Sequence, residues 1–189
     1  MNASIKSGST EKWNKGWADY MTNGDSNVIH SHAAVTRVRE ALAAAGVPAD
    51  ITVMPEATHT AQAAADALGC TLAEIAKSII FRAADGRAVL VITSVAKRVD
   101  DRKVSQLIGQ SLGKADADFV RAQTGFVIGG VAPVAHVVAP IALMDEDLLG
   151  FASIWPAAGH PNTMFRIAPA ELVRVSGAQV ADVAQKKTN

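Results

Sequence analysis

Apolar residues recur with helical spacing near the start of the main body of the chain. Between residues 35 and 45 they lie three or four positions apart, which places them on one helix face. These positions are Val35, Val38, Leu42 and Ala45, and Gly46 follows as a predicted stop. Further helices are predicted along the chain, and Thr60, Thr71 and Pro169 mark where three of them begin. The predicted helices cover 60–69, 71–76, 100–109, 116–123 and a short span beginning at Pro169.

Short runs rich in β-branched and aromatic residues are interspersed among these helices. They predict strands at 51–54, 79–82, 88–93, 126–128, 136–143, 152–155 and 163–167. Asp85-Gly86 separates the second run from the third and predicts a hairpin turn. Because helices and strands mix without strict alternation, the pattern favours an α+β domain around a mixed, strongly curved sheet.

Residues 1–29 differ from the rest, since Ser, Thr, Asn, Gly and Lys dominate there. Four large side chains nevertheless fall on one face of a possible short helix. They belong to Trp13, Trp17, Tyr20 and Met21. Two hypotheses remain open: the segment is a flexible tail, or it is an arm whose aromatic residues dock on the domain or on a second subunit.

Composition limits the function classes. The chain has 189 residues, 49% of them hydrophobic and 19% charged, which suits one compact domain. Eighteen basic and eighteen acidic residues give a formal net charge of +0, so any contact with RNA should be small and local. The single cysteine excludes an intramolecular disulfide. With no membrane-length apolar run and no signal-peptide pattern, we expect a soluble, cytoplasmic protein.

The loop Gly125–Pro133 is the most informative segment. Phe126 to Ile128 predict a buried strand, and the glycine pair Gly129-Gly130 allows a positive φ or a close approach to a ligand. Pro133 stiffens the loop and removes one N–H donor. Backbone amides in such a loop can bind a carbonyl or phosphate oxygen. An ordinary tight connection between strands is the alternative interpretation.

Several short motifs in this order resemble the YbaK / prolyl-tRNA-synthetase-associated editing domain family. They are Thr60-Ala61, the run 71–81, the loop Gly125–Pro133, Ala157-Ala158-Gly159 and Pro169–Leu172. The resemblance covers about Val35 to Val183, and the editing domain is assigned to residues 30–184, with 185–189 as a tail. It implies a curved, mostly antiparallel, barrel-like sheet flanked by helices. It also implies a free-standing enzyme that hydrolyses mischarged aminoacyl-tRNA without a metal or cofactor.

The same resemblance assigns catalytic roles. Lys77 matches the lysine of an I-x-K-[ST] motif and would hold the phosphate or ester region of the substrate, with Ser78 beside it. On pattern alone, a lysine at this predicted helix-to-strand junction is more often a solvated helix cap. Gly129 and Gly130 would donate N–H groups to the oxyanion. His136 would polarise water or bond the ribose, or else is a structural histidine.

The remaining candidate residues would contact the substrate. Pro133 would shape the wall beside the amino acid, and Thr60 would contribute a hydroxyl or only cap its helix. Small residues at Ala157, Ala158 and Gly159 would leave room for the aminoacyl group. His160 and Asn162 depart from the family pattern, since a small residue and a histidine are common there. The identity of the amino acid therefore stays open.

The sequence leaves other function classes open. The chain could be a non-catalytic module that binds aminoacyl ends, or an esterase that uses His136 or His160 as base. Cys70 is interpreted as a core residue, and His30-x-His32 has no further ligands to complete a metal site. No Walker or Rossmann glycine motif is present. The expected partners are the 3′ end of mischarged tRNA and a synthetase or elongation factor, with no membrane, for a monomer or homodimer.

Overall fold

The computed structural model describes residues 29, 32–47, 50–55 and 60–186. Most of the predicted N-terminal arm and residues 187–189 lie outside this part. Five α-helices occur within the described residues, and we number them in chain order. They are α1 (Ala33–Ala44), α2 (Ala61–Leu68), α3 (Asp101–Ile108), α4 (Ala117–Thr124) and α5 (Pro169–Ser176).

Side-chain caps fix where the helices begin, as the sequence predicts. Thr60 Oγ1 accepts the Ala63 N–H at 3.1 Å at the start of α2. Asp100 and Asp116 cap α3 and α4 in the same way. A glycine in the left-handed conformation ends α2, α3, α4 and α5, where a side chain would cost energy.

Eight strands form two separate sheets in the described part of the chain. They are β1 (Ile51–Val53), β2 (Ile75–Ala83), β3 (Ala88–Ser94), β4 (Leu112–Lys114), β5 (Ile141–Asp145), β6 (Trp155–Pro156), β7 (Thr163–Phe165) and β8 (Gln179–Ala181). The larger sheet has the order β4-β2-β3-β5-β8, with β6 paired to the start of β2. β1 and β7 form an antiparallel two-stranded ribbon. The hairpin predicted across Asp85-Gly86 joins β2 to β3.

The prediction of a mostly antiparallel, barrel-like sheet is wrong. Three pairings are parallel, namely β2 with β6, β3 with β5, and β5 with β8. The sheet is open, because β4 and β8 stand at the two ends of the strand order. The sequence analysis missed both of these three-residue end strands, which are too short to show a clear period. The single α+β domain with a mixed sheet is confirmed.

Several local predictions differ from the structure, among them the strand predicted at 152–155, of which only Trp155 belongs to a strand, β6. The predicted strand 126–128 is a loop, because Gly125 ends α4 and a turn follows in which the Gly130 N–H donates to the Val127 carbonyl at 3.0 Å. Of the predicted strand 136–143, only 141–143 is a strand, and β5 continues from there to Asp145. The capping box at Thr71 is present, but it opens a short 3₁₀ turn, Leu72–Glu74, and β2 begins directly after it.

The central strand β3 separates two apolar clusters. Every residue from Ala88 to Ser94 is buried, as expected for a strand covered on both faces. Leu90 and Ile92 belong to the main core, which also contains helix α1 and Phe126. The alternate residues Val89 and Val91 pack in a second cluster. A third, smaller cluster lies under α2 and borders the candidate site.

Candidate active site

A cavity of about 400 Å³ lies where the start of β2 meets α2 and two loops. Five of the residues predicted from sequence line it. They are Thr60, Lys77, Ser78, Gly129 and Asn162. Ala157, one of the small residues expected to leave room for the aminoacyl group, lines it as well. No individual role was predicted for the other lining residues, which are mostly apolar. They are Ala61, Ala64, Ile75, Ala76, Val131, Pro161, Thr163 and Met164.

Lys77 lies inside β2, opposite Thr93 of β3. The predicted helix-to-strand junction is therefore wrong, and so is the alternative of a helix cap. Its side chain is half-buried, and Nζ donates to the Lys97 carbonyl at 2.5 Å. Burial, and secondarily the charge of Arg98, lower the pKa of Lys77 from its usual value. The ammonium keeps further N–H donors for a ligand, since it has three in all.

Ser78 follows Lys77 in β2, so its side chain points to the opposite face of the strand. Its Oγ is buried and has no hydrogen-bond partner among the described residues. An unsatisfied buried hydroxyl costs about 1–3 kcal/mol, so such groups are rare and often serve a ligand or a bound water. Ser78 is one of the residues that line the cavity.

Gly129 supplies backbone to the cavity wall. Its backbone has a φ of 91°, which residues with a side chain rarely adopt. An added Cβ would meet only Pro161, at 3.8 Å. The Gly129 N–H has no hydrogen-bond acceptor among the described residues. It is therefore a free donor at the cavity, of the kind that stabilises a developing oxyanion.

Comparison with known proteins shows the family of the chain. The sequence profile of the aminoacyl-tRNA editing domain matches residues 55–175, which include all the predicted residues that line the cavity. The chain belongs to the aminoacyl-tRNA editing domain family. The resemblance inferred from the motifs is thus confirmed, and the general activity of this domain is aminoacyl-tRNA editing.

Relatives of the editing domain extend over most of the chain. The uncharacterized protein YwhH of Bacillus subtilis (strain 168) is 30% identical over 69% of this chain and 83% of its own length. The crystal structure of "a putative trans-editing enzyme for prolyl tRNA synthetase" is 40% identical, with a TM-score of 0.78 over 82% of this chain and 98% of that one. That of the hypothetical protein APE2540 is 32% identical, with a TM-score of 0.73 over 79% and 99%.

Gly130 has a different place in the editing domain from Gly129. Its N–H is taken by the Val127 carbonyl, so only one of the two predicted amide donors is free. A Cβ on Gly130 would lie 2.8 Å from the His160 carbonyl carbon and 2.9 Å from Pro161 N. This glycine therefore lets two loops pack backbone against backbone.

Three predicted contact residues lie behind the cavity wall. Pro133, Ala158 and Gly159 are buried and are not among the lining residues. A Cβ on Gly159 would lie 2.7 Å from the Ala34 carbonyl oxygen at the start of α1. Because these residues are compact, the segments behind the wall can pack closely. The adjacent Ala157 lines the cavity, whereas Ala158 does not.

His136 does not line the cavity. Its Nε2 is 2.8 Å from the Ala132 carbonyl, and its ring stands edge-on to Phe126 with centroids 5.8 Å apart. Burial is the main reason that its pKa is lowered, and the nearby Arg37 adds to the effect. Its position gives the predicted chemical role no support, whereas these contacts suit the structural alternative.

His160 acts on the cavity through its neighbour Asn162. The His160 Nδ1 accepts the Asn162 N–H at 3.1 Å, and the His160 N–H donates to Thr163 Oγ1 at 3.1 Å. These bonds shape the turn that presents Asn162 to the cavity. The ring meets His32 edge-on at 5.4 Å, and burial together with His32 lowers the pKa of His160.

The sequence analysis missed a polar network behind Lys77. Asp145, with 1% of its surface exposed, accepts the Thr93 hydroxyl at 2.8 Å. Lys97 Nζ lies 3.6 Å from the same carboxylate and also pairs with Asp147. This network fixes the loop whose Lys97 carbonyl binds Lys77. The sequence contains one sign of this network, since the carboxylate of Asp145 directly follows the apolar run Ile141–Met144.

The described residues contain no group of three or more His, Cys, Asp or Glu side chains that could hold a metal ion. His30 of the predicted pair lies outside them. Burial, with a smaller contribution from Glu74, raises the pKa of the Cys70 thiol, as expected for a packed residue and not for a nucleophile. A search of the same residues finds no helix that could span a membrane.

Proposed function

We propose that this editing domain hydrolyses the ester bond between a small amino acid and the 3′ end of a mischarged tRNA, with water as the nucleophile. One observation carries the proposal. Lys77, Ser78 and Gly129 line one cavity, and among the described residues they carry an ammonium, a hydroxyl without a partner and a free backbone N–H. These are the three kinds of group that would hold an ester and stabilise the charge that forms on its carbonyl oxygen.

Lys77 is the electrostatic part of the proposed site. The substrate brings a phosphodiester on the tRNA side and an ester on the amino-acid side, and both carry or develop negative charge. The partial burial of Lys77 strengthens its attraction to such charge, because the surroundings screen it less than water does. Its bond to the Lys97 carbonyl fixes the direction of the ammonium before the substrate arrives.

Gly129 and Ser78 are the hydrogen-bonding part. The Gly129 N–H would donate to the oxyanion, while the Gly130 N–H keeps its bond to Val127. The Ser78 hydroxyl can donate and accept, so it would orient the attacking water or the terminal ribose. Catalysis would then consist of orientation and electrostatic stabilisation.

Water is the proposed nucleophile because the described lining residues contain no activated one. Ser78 Oγ contacts no base, and the Cys70 thiol has a raised pKa. His136 is bonded to the main chain outside the cavity, which disfavours the esterase alternative with that base. A ribose hydroxyl of the substrate, or its thiol in cysteinyl-tRNA, would assist the attack.

The size of the cavity favours a small amino acid. About 400 Å³ is near the lower end of ligand pockets, and it would have to hold a ribose as well as the aminoacyl group. The relative titled "a putative trans-editing enzyme for prolyl tRNA synthetase" makes mischarged proline tRNA the first substrate to test. A synthetase or an elongation factor would present the charged tRNA.

A deacylation panel tests the proposal. Proline tRNA charged with Ala, Ser, Thr, Cys or cognate Pro is incubated with the wild-type protein. We expect faster hydrolysis of at least one small mischarged amino acid than of the cognate ester. Binding without hydrolysis of any member would indicate a non-catalytic module. Equal turnover of unrelated carboxylic esters would indicate a general esterase.

A further inference from the structure

A second cleft, of about 440 Å³, lies beside the cavity and is not used by the proposed chemistry. Its lining includes an aromatic ring, a cation and polar groups that can pair with a base or a phosphate. They belong to Asp50, Thr52, Ser153, Trp155 and Arg166. This combination of an aromatic platform with hydrogen-bonding groups is typical of sites for unpaired nucleotides.

Strand register places the cleft and the cavity on one surface. Thr52 pairs with Met164, and Ala157 also pairs with Met164, so these side chains share one face of the ribbon. Trp155 and Arg166 lie two residues from Ala157 and Met164, and so point the same way. The alternate residues form the inner face and are buried in the core. They include Ile51, Val53 and Phe165.

The spacing along this surface suits adjoining nucleotides. Ala157 and Met164 line the cavity, whereas Trp155 and Arg166 line the cleft. Two residues of extended strand cover about 6.7 Å, so the two sites are a short step apart. If the cavity holds the aminoacylated terminal adenosine, the nucleotide before it would arrive at the cleft.

Trp155 and Arg166 are held in place by the protein. Trp155 is half-buried and packs against the small apolar cluster under α2. Arg166 Nε donates to Ser153 Oγ at 2.9 Å, which anchors an otherwise exposed guanidinium. An anchored aromatic ring and an anchored cation lose little side-chain entropy on binding.

The charges around the cleft favour binding of a nucleobase over binding of several backbone phosphates. Asp50 lines the cleft and Glu74 lies close enough to Arg166 to interact with it, so the positive charge is partly compensated. A carboxylate repels phosphate, but it can accept from the exocyclic amino group of cytosine or adenine. Stacking should therefore contribute most of the binding.

We propose that the Trp155–Arg166 cleft binds the unpaired nucleotide that precedes the terminal adenosine of tRNA, with its base stacked on Trp155. This inference rests on the proposed function. Arg166 supplies N–H donors to the oxygen atoms of this nucleotide. The editing domain thereby distinguishes an RNA 3′ end from a free aminoacyl ester without an extended basic surface.

Fluorescence provides a test that does not require activity. The chain has three tryptophans, so Trp13→Phe with Trp17→Phe leaves Trp155 as the only one. Titration with the trinucleotide CCA should quench Trp155 saturably, whereas adenosine alone should leave its emission nearly unchanged. Unchanged emission at CCA concentrations that inhibit deacylation would overturn the proposal.

Kinetics separate stacking from packing. Trp155→Leu keeps an apolar side chain without a ring, and Trp155→Phe keeps a ring. We expect Trp155→Leu to lower kcat/KM about tenfold for aminoacyl-tRNA and to leave kcat/KM for the aminoacyl ester of adenosine unchanged. Trp155→Phe should retain most of the activity on tRNA. Circular dichroism verifies that both variants are folded.

The outcomes distinguish this proposal from the proposed function. An equal loss on both substrates would show that Trp155 acts only through packing, which would overturn the nucleotide site. A wild-type protein that hydrolyses neither substrate would refute the deacylase function. In that case CCA quenching would still decide whether the cleft binds a nucleotide, and its absence would overturn the site.

Discussion

Two segments line the same cavity and contribute to it in different ways. The start of β2 provides side-chain chemistry, through the Lys77 ammonium and the unpartnered Ser78 hydroxyl. The loop Gly125–Pro133 mainly provides shape, because Phe126 and residues 130–133 are buried and the Gly130 N–H is used in a turn. Of its glycine pair, only Gly129 has a free N–H. The Gly130 N–H is bonded in the turn, and the missing side chain of Gly130 lets the backbone at His160 pack against it.

This difference predicts different losses on mutation. Changes at the start of β2 should reduce activity and leave the stability of the fold nearly unchanged. Changes in the loop should reduce stability first, and activity as a consequence. Measuring kcat/KM beside the free energy of unfolding for the same variants therefore separates the two contributions.

The largest expected effect on activity comes from Lys77→Ala. It removes the only side-chain cation among the described lining residues of the cavity, so we expect kcat/KM to fall tenfold or more. A charged hydrogen bond of this kind contributes about 1.5–3 kcal/mol. The measurement is deacylation of the best substrate from the panel, together with urea unfolding.

Lys114→Ala is the matched control, because Lys114 is an exposed lysine on the edge strand β4. It should leave both activity and stability unchanged. Wild-type turnover by a folded Lys77→Ala protein would contradict the role given to Lys77 and remove the chemical half of the comparison.

Gly130→Ala should give the largest loss of stability in the loop. The new Cβ would lie 2.8–2.9 Å from backbone atoms of His160 and Pro161, which cannot move aside as a flexible side chain can. We expect a loss of about 1–3 kcal/mol in the free energy of unfolding, typical of overpacking. Gly150→Ala, with open space around its Cβ, should change stability little. Equal stability of the two variants would refute the packing role of Gly130.

The comparison also explains how far the sequence could predict the molecule. The helix cap at Thr60 and the capping box at Thr71 depend on local patterns, and the structure confirms them. The positions of Lys77 and Ser78 in one cavity followed from a family motif. The loop could not be predicted to the same depth, because the hydrogen bond that uses the Gly130 N–H depends on the turn that follows α4.

Long-range packing accounts for the other differences. Phe126 is in the core, whereas Val127 and Ile128 are 40% and 61% exposed, and an apolar triplet gives no local sign of that change. His136 is near the loop in sequence but turns away from the cavity toward Phe126. The open sheet depends on β4 and β8, whose three residues each carry too little pattern to predict them.

Ser78→Ala should give a smaller loss of activity than Lys77→Ala. A neutral hydrogen bond contributes about 0.5–1.5 kcal/mol, so we expect kcat/KM to fall about threefold to tenfold. Because the hydroxyl has no partner among the described residues, its removal should leave the free energy of unfolding unchanged or raise it slightly. A stability loss without an activity loss would show that Ser78 has a structural bond instead. Ser176→Ala, at a hydroxyl bonded to the Leu172 carbonyl of α5, serves as the control.

The smallest expected effect concerns Ala135, at the end of the loop region. Ala135 has a φ of 63°, and it is the only non-glycine residue with positive φ in the described part of the chain. An alanine in this conformation destabilises the folded state by about 1–2 kcal/mol. Glycine avoids this strain, but it makes the unfolded chain more flexible and so offsets part of the gain. Ala135→Gly should therefore raise the free energy of unfolding by about 0.5–1 kcal/mol with kcat/KM unchanged.

Ala84→Gly, in the exposed turn after β2, has no such strain to relieve and should be neutral or destabilising. A destabilised Ala135→Gly protein would mean that the Ala135 side chain contributes more through packing than its backbone loses through strain. The loop would then owe its shape to side chains as much as to its glycines, and the contrast with β2 would be weaker than proposed.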